Sequence, residues 1–135
     1  MLKKHFFLLA ILTSFLGSFF LESEVAAKIL SATKTEVSLV DGIAVDKRGN
    51  VYIAMRDNNI ISRIDLKGNM TIYAGSGSSG FSGDGGKAIE ARLNVPAGLA
   101  FDKSGNLYIA DRNNHRIRKV DTLSLIHISE PTRPY

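Results

Sequence analysis

Residues Gly98 to Asp121 read Gly-Leu-Ala-Phe-Asp-Lys-Ser-Gly-Asn-Leu-Tyr-Ile-Ala-Asp-Arg-Asn-Asn-His-Arg-Ile-Arg-Lys-Val-Asp, and the chain carries this stretch twice. Gly42 to Asp65 reads Gly-Ile-Ala-Val-Asp-Lys-Arg-Gly-Asn-Val-Tyr-Ile-Ala-Met-Arg-Asp-Asn-Asn-Ile-Ile-Ser-Arg-Ile-Asp. Aligned without a gap, 13 of the 24 positions are identical, and four of the other eleven exchange one apolar residue for another. The offset is 98 − 42 = 56 residues, just above the usual range for arrayed repeats.

Each copy marks out its own strands. In the first, Ile43-Ala44-Val45 is a short run rich in β-branched residues, closed by Asp46-Lys47-Arg48-Gly49-Asn50. Gly and Asn tolerate positive φ, and Asp can bond its own downstream backbone, so this segment predicts a hairpin turn. Val51 to Ala54 is the return strand, Asp57-Asn58-Asn59 the next turn, and Ile60 to Ile64 the third strand. Leu66 to Asn69 turns again, and Met70 to Ala74 gives a fourth strand. The second copy repeats three of these, at Leu99 to Phe101, Leu107 to Ala110 and Arg116 to Val120, with a fourth expected after Asp121. Ile61 and Ile64, like Ile117 and Val120, lie three apart, a spacing that predicts a bulge or a twisted outer strand.

The return strands narrow the architecture. Val51-Tyr52-Ile53-Ala54 and Leu107-Tyr108-Ile109-Ala110 do not alternate apolar with polar residues. A sheet with one wet face alternates, whereas a sheet covered on both faces reads as continuous apolar. Short up-and-down strands with turns between them, repeating and covered on both faces, predict an all-β fold, the four-stranded antiparallel blades of a β-propeller. A β-sandwich has short strands as well, but it would not repeat the same 24 residues so closely.

The two ends read differently from the body. Residues 1–27 place Lys3, Lys4 and His5 before an apolar run from Phe6 to Leu21 and then Val25-Ala26-Ala27. Charge, apolar segment and small residues in that order predict a signal peptide cleaved after Ala27, and hence a secreted or periplasmic protein. The alternatives are an uncleaved anchor or a buried helix. Thr13, Ser14, Gly17 and Ser18 dilute the run, and a bilayer span needs about 20 apolar residues. No stable membrane span is therefore expected after cleavage. The chain has no cysteine, so a lipid-modified N-terminal cysteine is excluded and the fold rests on packing without disulfides. Residues 123–135, Leu-Ser-Leu-Ile-His-Ile-Ser-Glu-Pro-Thr-Arg-Pro-Tyr, resemble the in-frame translation of a sequencing-library adapter, a segment to be left out of fold reasoning. The alternative reading is a short native strand from Ser124 to Ile128.

Between the ends, residues 28–122 carry 17 − 3 = 14 Lys and Arg against 13 − 3 = 10 Asp and Glu, a net charge of +4. That mild, interspersed excess bears on solubility rather than on fold. The expected organisation is a leader at 28–41, a first blade at 42–74, an insert at 75–97 and a truncated second blade at 98–122. Six of the twelve residues from Gly75 to Gly86 are glycine. Gly75-Ser76-Gly77-Ser78-Ser79-Gly80 fits Gly-x-Gly-x-x-Gly, but a dinucleotide site needs a helix opening at the glycines inside a strand–helix–strand unit. Gly- and Ser-rich residues follow instead, so the segment reads as a flexible loop, and Lys87 lacks the phosphate-loop pattern. Asp84 alone is too few ligands for a hard cation and reads as a solvated loop tip. Lys87 to Leu93 predicts about two helical turns, stopped before Pro96.

Gly98 to Asp121, with Ala74 to Gly86 and the Leu93-Asn94-Val95-Pro96-Ala97-Gly98 join, resembles the NHL-repeat family, and the resemblance covers Gly42 to Asp121. It implies a six-bladed propeller of which this chain holds one blade and most of a second. Its repeat framework falls on Gly42, Asp46, Gly49, Asn50 and Tyr52, and again on Gly98, Asp102, Gly105, Asn106 and Tyr108. The first copy departs from the pattern at Met55, where the second has Asp111, and at Ile60, where the second has Arg116. A repeat that lacks neighbours cannot bury its faces, so the 95-residue body is expected to be the N-terminal part of a longer protein.

No catalytic set can be assembled from these residues. His115 is the sole histidine in the body, without the partners that zinc or acid–base chemistry requires. Arg112, Arg116, Arg118 and Lys119 form a basic cluster, and Arg112, His115, Arg116 and Arg118 are the candidate surface-binding residues. Some family members bind RNA through a basic face, but this cluster lacks adjacent aromatic stacking partners and nucleic acid is not expected. The reading is a noncatalytic extracytoplasmic scaffold for a protein or carbohydrate ligand, with no cofactor. Two alternatives stay open: a propeller lyase or lactone hydrolase whose central metal comes from other blades, and a sensor or adhesion module of a larger protein.

Overall fold

The computed structural model describes residues 39–128. The signal-peptide and leader expectations lie outside the described residues, apart from the last leader residues. Eight strands run in chain order: β1 (Val40–Val45), β2 (Val51–Met55), β3 (Ile60–Ile64), β4 (Met70–Ala74), β5 (Pro96–Phe101), β6 (Leu107–Asp111), β7 (Arg116–Val120) and β8 (Ile126–Ile128). They form two antiparallel four-stranded sheets, ordered β1-β2-β3-β4 and β5-β6-β7-β8. These are two propeller blades.

One turn chemistry is used four times. Asp46 Oδ1 accepts the N–H groups of Arg48 and Asn50, each at 2.9 Å, and its Oδ2 accepts Asn50 Nδ2 at 2.8 Å. Asp65 with Asn69, and Asp102 with Asn106, repeat the arrangement. An aspartate that caps its own turn makes the reversal independent of distant contacts, which is why these turns could be read locally. Gly49, Gly68 and Gly105 take φ of 85°, 87° and 90°, a region that costs an L side chain energy. The fourth turn is Asp121-Thr122-Leu123-Ser124-Leu125, where Ser124 takes φ 62°, Leu125 stands at the asparagine position, and His127, at the position of Tyr52 and Tyr108, lies 3.2 Å from Asp121. It leads into β8, so the second blade has its fourth strand inside the adapter-like segment. Within β8, Ile126 is fully buried and Ile128 is exposed.

The blades pack through one shared cluster. Tyr52, Ala54, Ile61 and Ala74 of the first meet Leu107, Ile109, Val120 and Ile126 of the second, with Ala88, Ala91 and Leu93 between them. Every residue of β2 is buried, as its unbroken apolar sequence predicts. The expected bulge falls between Ile61 and Ser62 in the β3–β4 pairing. Gly42 lets the blades approach, since a Cβ there would lie 2.0 Å from the carbonyl oxygen of Ala97. Asn59 Oδ1 accepts the Val95 N–H across the seam at 3.0 Å, and Val95 sits at φ 55°, a conformation that β-branched residues rarely adopt. The repeat also fixes polarity. The face of the first blade that carries Tyr52 and Ala54 is covered by the second blade. Its counterpart on the second blade carries Tyr108, Ala110 and Ile117, the last 43% exposed.

Two expectations for the insert are corrected. The predicted helical turns reduce to one 3₁₀ turn, Ala88–Glu90. The carbonyls of Ala88 and Ala91 accept the N–H groups of Gly75 and Ser76, and Arg92 N–H donates to Ser82. Only the 3₁₀ bonds from Glu90 N–H to Lys87 and from Ala91 N–H to Ala88 remain, while other backbone groups pair with the glycine-rich segment. For the same reason that segment is an ordered strap rather than a flexible loop. Gly85 N–H donates to the Ile126 carbonyl and Ile126 N–H to that of Gly86, so the strap also borders β8.

Candidate functional site

The cluster Arg112, His115, Arg116 and Arg118 divides in the structure. Arg112 and His115 are exposed, and His115 closes the β6–β7 turn in the left-handed region at φ 53°. The guanidinium of Arg116 lies 3.9 Å from the ring centre of Phe81 on the strap. Arg118 is fully buried, which corrects its place among the surface residues. Its Nε and Nη2 both reach Asp84 Oδ1, at 3.0 and 2.8 Å. Its Nη1 lies 3.2 Å from Asp111 Oδ2 and donates to the Arg92 carbonyl, while Nη2 donates to that of Ser82. Asp84 is therefore a pairing residue and not a solvated tip.

A buried guanidinium is stable only when its charge and its donors are matched, and the strap supplies the matches. Asp111, also fully buried, accepts in addition from Asn94 N–H and Asn114 Nδ2, both at 2.8 Å. The first blade carries a different pair at these positions. Its equivalents, 111 − 56 = 55 and 118 − 56 = 62, are Met55 and Ser62, whose hydroxyl donates to the Met55 sulfur at 3.2 Å. Both members of the pair change together. Arg118 and Asp111 are thus framework residues.

A recess lies at the opposite ends of the strands. A cleft of about 390 Å³ opens between the β1–β2 turn of the first blade and the β5–β6 and β7–β8 turns of the second. Lys47, Arg48 and Arg63 bring positive charge to it, and Tyr52, Tyr73 and Phe101 bring aromatic surface. Tyr52 packs edge-on to Tyr73 and to Phe101, at 4.8 and 4.9 Å between ring centres. Among the described residues, the Arg63 Nε atom is buried without a hydrogen-bond partner. The Lys47 ammonium reaches the Lys103 carbonyl across the cleft.

The carboxylates beside the cleft are held ionised by their turns. Burial pushes the Asp46 carboxyl up, but hydrogen bonds from Asn50, Arg48 and Tyr52 outweigh it and hold its pKa below the ordinary value. Hydrogen bonds from the Asn106 side chain and backbone lower that of Asp102. Burial and the neighbouring Asp46 charge push the Tyr52 hydroxyl up to about 12. Of the framework residues, Asp46, Asn50, Tyr52, Asp102 and Gly105 line this cleft. Sequence reasoning missed Lys47, Arg48, Arg63, Tyr73 and Phe101. The signal available was register: Arg63 pairs with Tyr52 across β2–β3, and Phe101 takes the place of Val45 one repeat earlier. Among the described residues, no three His, Asp or Glu side chains come together as metal ligands, and no helix is long and apolar enough to cross a membrane.

Comparison with known proteins agrees with this architecture. Residues 93–120 match the NHL repeat family model. The chain is 33% identical over 102 residues to the Arabidopsis thaliana protein SUPPRESSOR OF QUENCHING 1, chloroplastic, covering 67% of this chain and 10% of that protein. It is 35% identical over 109 residues to Homo sapiens Teneurin-4, covering 66% of this chain and 4% of that one. The chain thus spans a tenth or less of the length of these relatives. Among solved structures, virginiamycin B lyase from Staphylococcus aureus superposes with a TM-score of 0.52 at 18% identity, over 75% of this chain and 30% of that enzyme. At that identity the likeness is one of fold.

Proposed function

Residues 93–120 are an NHL repeat within a pair of β-propeller blades, and from that premise we propose that the protein is a noncatalytic binding scaffold acting outside the cytoplasm. Its ligand is a carbohydrate or a protein. The observation that carries this reading is the interblade cleft, where Lys47 and Arg48 from a turn braced by Asp46 meet Tyr52, Arg63, Tyr73 and Phe101 from the strands. Rigid frameworks that present loops are where binding usually resides. The charged, apolar and small-residue order of residues 1–27 supports the extracytoplasmic location.

The test is direct. The full-length protein, purified from the extracytoplasmic fraction, is screened against surface glycans and secreted proteins. A ligand retained above background, and lost when cleft residues are changed, supports the scaffold. Absence of any retained ligand, or a protein found only in the cytoplasm, contradicts it.

A further inference from the structure

We infer that the strap end of the second blade is a docking surface for a carboxylate-rich protein segment, read by Arg92, Arg112 and Arg116 around Phe81. It lies at the other ends of the strands from the interblade cleft and does not depend on what the cleft holds. All four residues precede the adapter-like segment.

The repeat supplies the first argument. In the first blade Arg56 pairs with Asp41 at 3.7 Å and with Asp57 at 3.6 Å. One repeat later the arginine is kept as Arg112, but 41 + 56 = 97 and 57 + 56 = 113 put Ala97 and Asn113 where both carboxylates stood. Both partners of Arg56 lie within its own blade, so the second blade itself has given them up. Arg112 and Arg92 are exposed, and Arg116 spends its Nε on the Asn114 carbonyl at 2.9 Å. Among the described residues, none of the three arginines forms an ion pair, because the neighbouring carboxylates already have cations. Arg118 holds Asp84 and Asp111, Lys87 holds Glu90, and Arg56 holds Asp41 and Asp57.

Contacts bring these side chains to one surface. The Arg116 guanidinium lies over the Phe81 ring, which is 43% exposed. The preceding residue, Gly80, accepts Asn114 Nδ2 at its carbonyl, and a Cβ on it would meet Arg92 Cδ at 3.3 Å. Asn113, beside Arg112, donates its N–H to the Asn94 carbonyl, two residues from Arg92.

The chemistry selects the partner. A guanidinium presents a planar fork that matches a carboxylate through two parallel hydrogen bonds. The three cations are all arginine, and arginine and aromatic residues are enriched, and lysine depleted, where proteins meet proteins. An arginine beside an aromatic ring is also the usual anchor of such a contact. Single-stranded nucleic acid needs a ring on which a base can stack, whereas here the Arg116 guanidinium lies on the ring. A carboxylate bonds that guanidinium without displacing it.

The full-length protein is titrated by fluorescence anisotropy with a labelled glutamate-rich peptide carrying a leucine, with its glutamine counterpart, and with oligothymidylate. The glutamate peptide is expected to bind about tenfold or more tightly than either control at low salt, a ratio equivalent to roughly 1.4 kcal/mol, and to weaken as salt screens the charges. Arg92→Gln and Arg112→Gln, both exposed changes whose unaltered folding is checked by denaturation midpoint, each weaken it about two- to fivefold, the range of an exposed ion pair. Phe81→Ala weakens the leucine-bearing peptide more than one of glutamate alone. Lys103→Gln, the same charge change on an exposed residue at the other end of this blade, leaves binding as it was. Equal affinity for the glutamate and glutamine peptides, oligothymidylate bound as tightly as the glutamate peptide, or Lys103→Gln as damaging as Arg112→Gln overturns the inference.

Discussion

Arg118 and Asp111, one on β7 and the other at the end of β6, are both fully buried and lie 3.2 Å apart between Nη1 and Oδ2. The pair binds blade to strap because Arg118 also holds Asp84, 34 residues earlier in the chain. A repeat unit ordinarily closes on its neighbour through apolar faces alone. Here one blade adds an ionic clasp, and the other has Met55 and Ser62 in its place.

Removing the cation alone is therefore expected to be severe. Arg118→Met leaves Asp111 charged and buried, a defect that costs about 3–5 kcal/mol. Chemical denaturation should show the loss. Amide exchange should speed up at Arg92, which donates to Ser82, and at Gly85 and Gly80 of the strap, more than at β2.

Glycine replacement separates close approach from loop freedom. At Gly42 a methyl group would meet the Ala97 carbonyl oxygen at 2.0 Å, whereas at Gly85 nothing lies within 4 Å. Gly85→Ala, at φ 83°, should cost about 1–2 kcal/mol from backbone conformation. Gly42→Ala should cost more, about 3 kcal/mol as overpacking against backbone does, and should loosen the interblade seam in particular. Equal effects would contradict the assigned role of Gly42.

Acid should weaken the turns. The carboxyls of Asp65, Asp102 and Asp121 are held below their ordinary value of 3.8 by hydrogen bonds, the first-ranked donors being the Asn69 and Asn106 side chains and the Leu125 N–H. A depressed folded value means stability that is present above pH 3.8 and is lost as pH falls below it through the folded values. Denaturation midpoints should be level near neutrality and drop below about pH 4. Asp102→Asn should flatten that drop.

Alkali should act through Tyr52. Its hydroxyl is pushed from 10.0 to about 12 in the fold, chiefly by burial. The unfolded chain ionises first, so stability is lost as pH rises from 10 towards 12. Tyr52→Phe should remove that part of the alkaline loss, read by tyrosinate absorbance alongside unfolding.

The parts of the fold legible in the sequence were the local ones. Asp46, Asp65 and Asp102 each make a turn from residues within four positions, so motif and geometry coincide. The unbroken apolar run of β2 announced cover on both faces. Arg118 was misread because its partners, Asp84 and Asp111, lie 34 and 7 residues away. A sequence read by composition counts all three as polar surface. The clue was present in the paired exchange of Asp111 and Arg118 for Met55 and Ser62, of which only the first half registered. Glycine content suggested freedom in the strap, yet Gly83, at φ 91°, is needed for closeness: a Cβ there would sit 2.7 Å from Ala91 Cα. The cleft was invisible for a related reason, since its cations and rings come from both blades and converge only after packing.

The claim that Arg118 and Asp111 are framework residues is tested most directly by transplanting the first blade's solution into the second. Stability is measured by chemical denaturation for Asp111→Met, Arg118→Ser and the double variant, with ligand binding at the interblade cleft measured on each folded protein. The account predicts that each single change costs several kcal/mol, about 3–5. It predicts that the double variant recovers at least about 2 kcal/mol of their sum, as coupled partners do, and that its binding is unchanged. Additive losses, or binding abolished in a stably folded double variant, would contradict it.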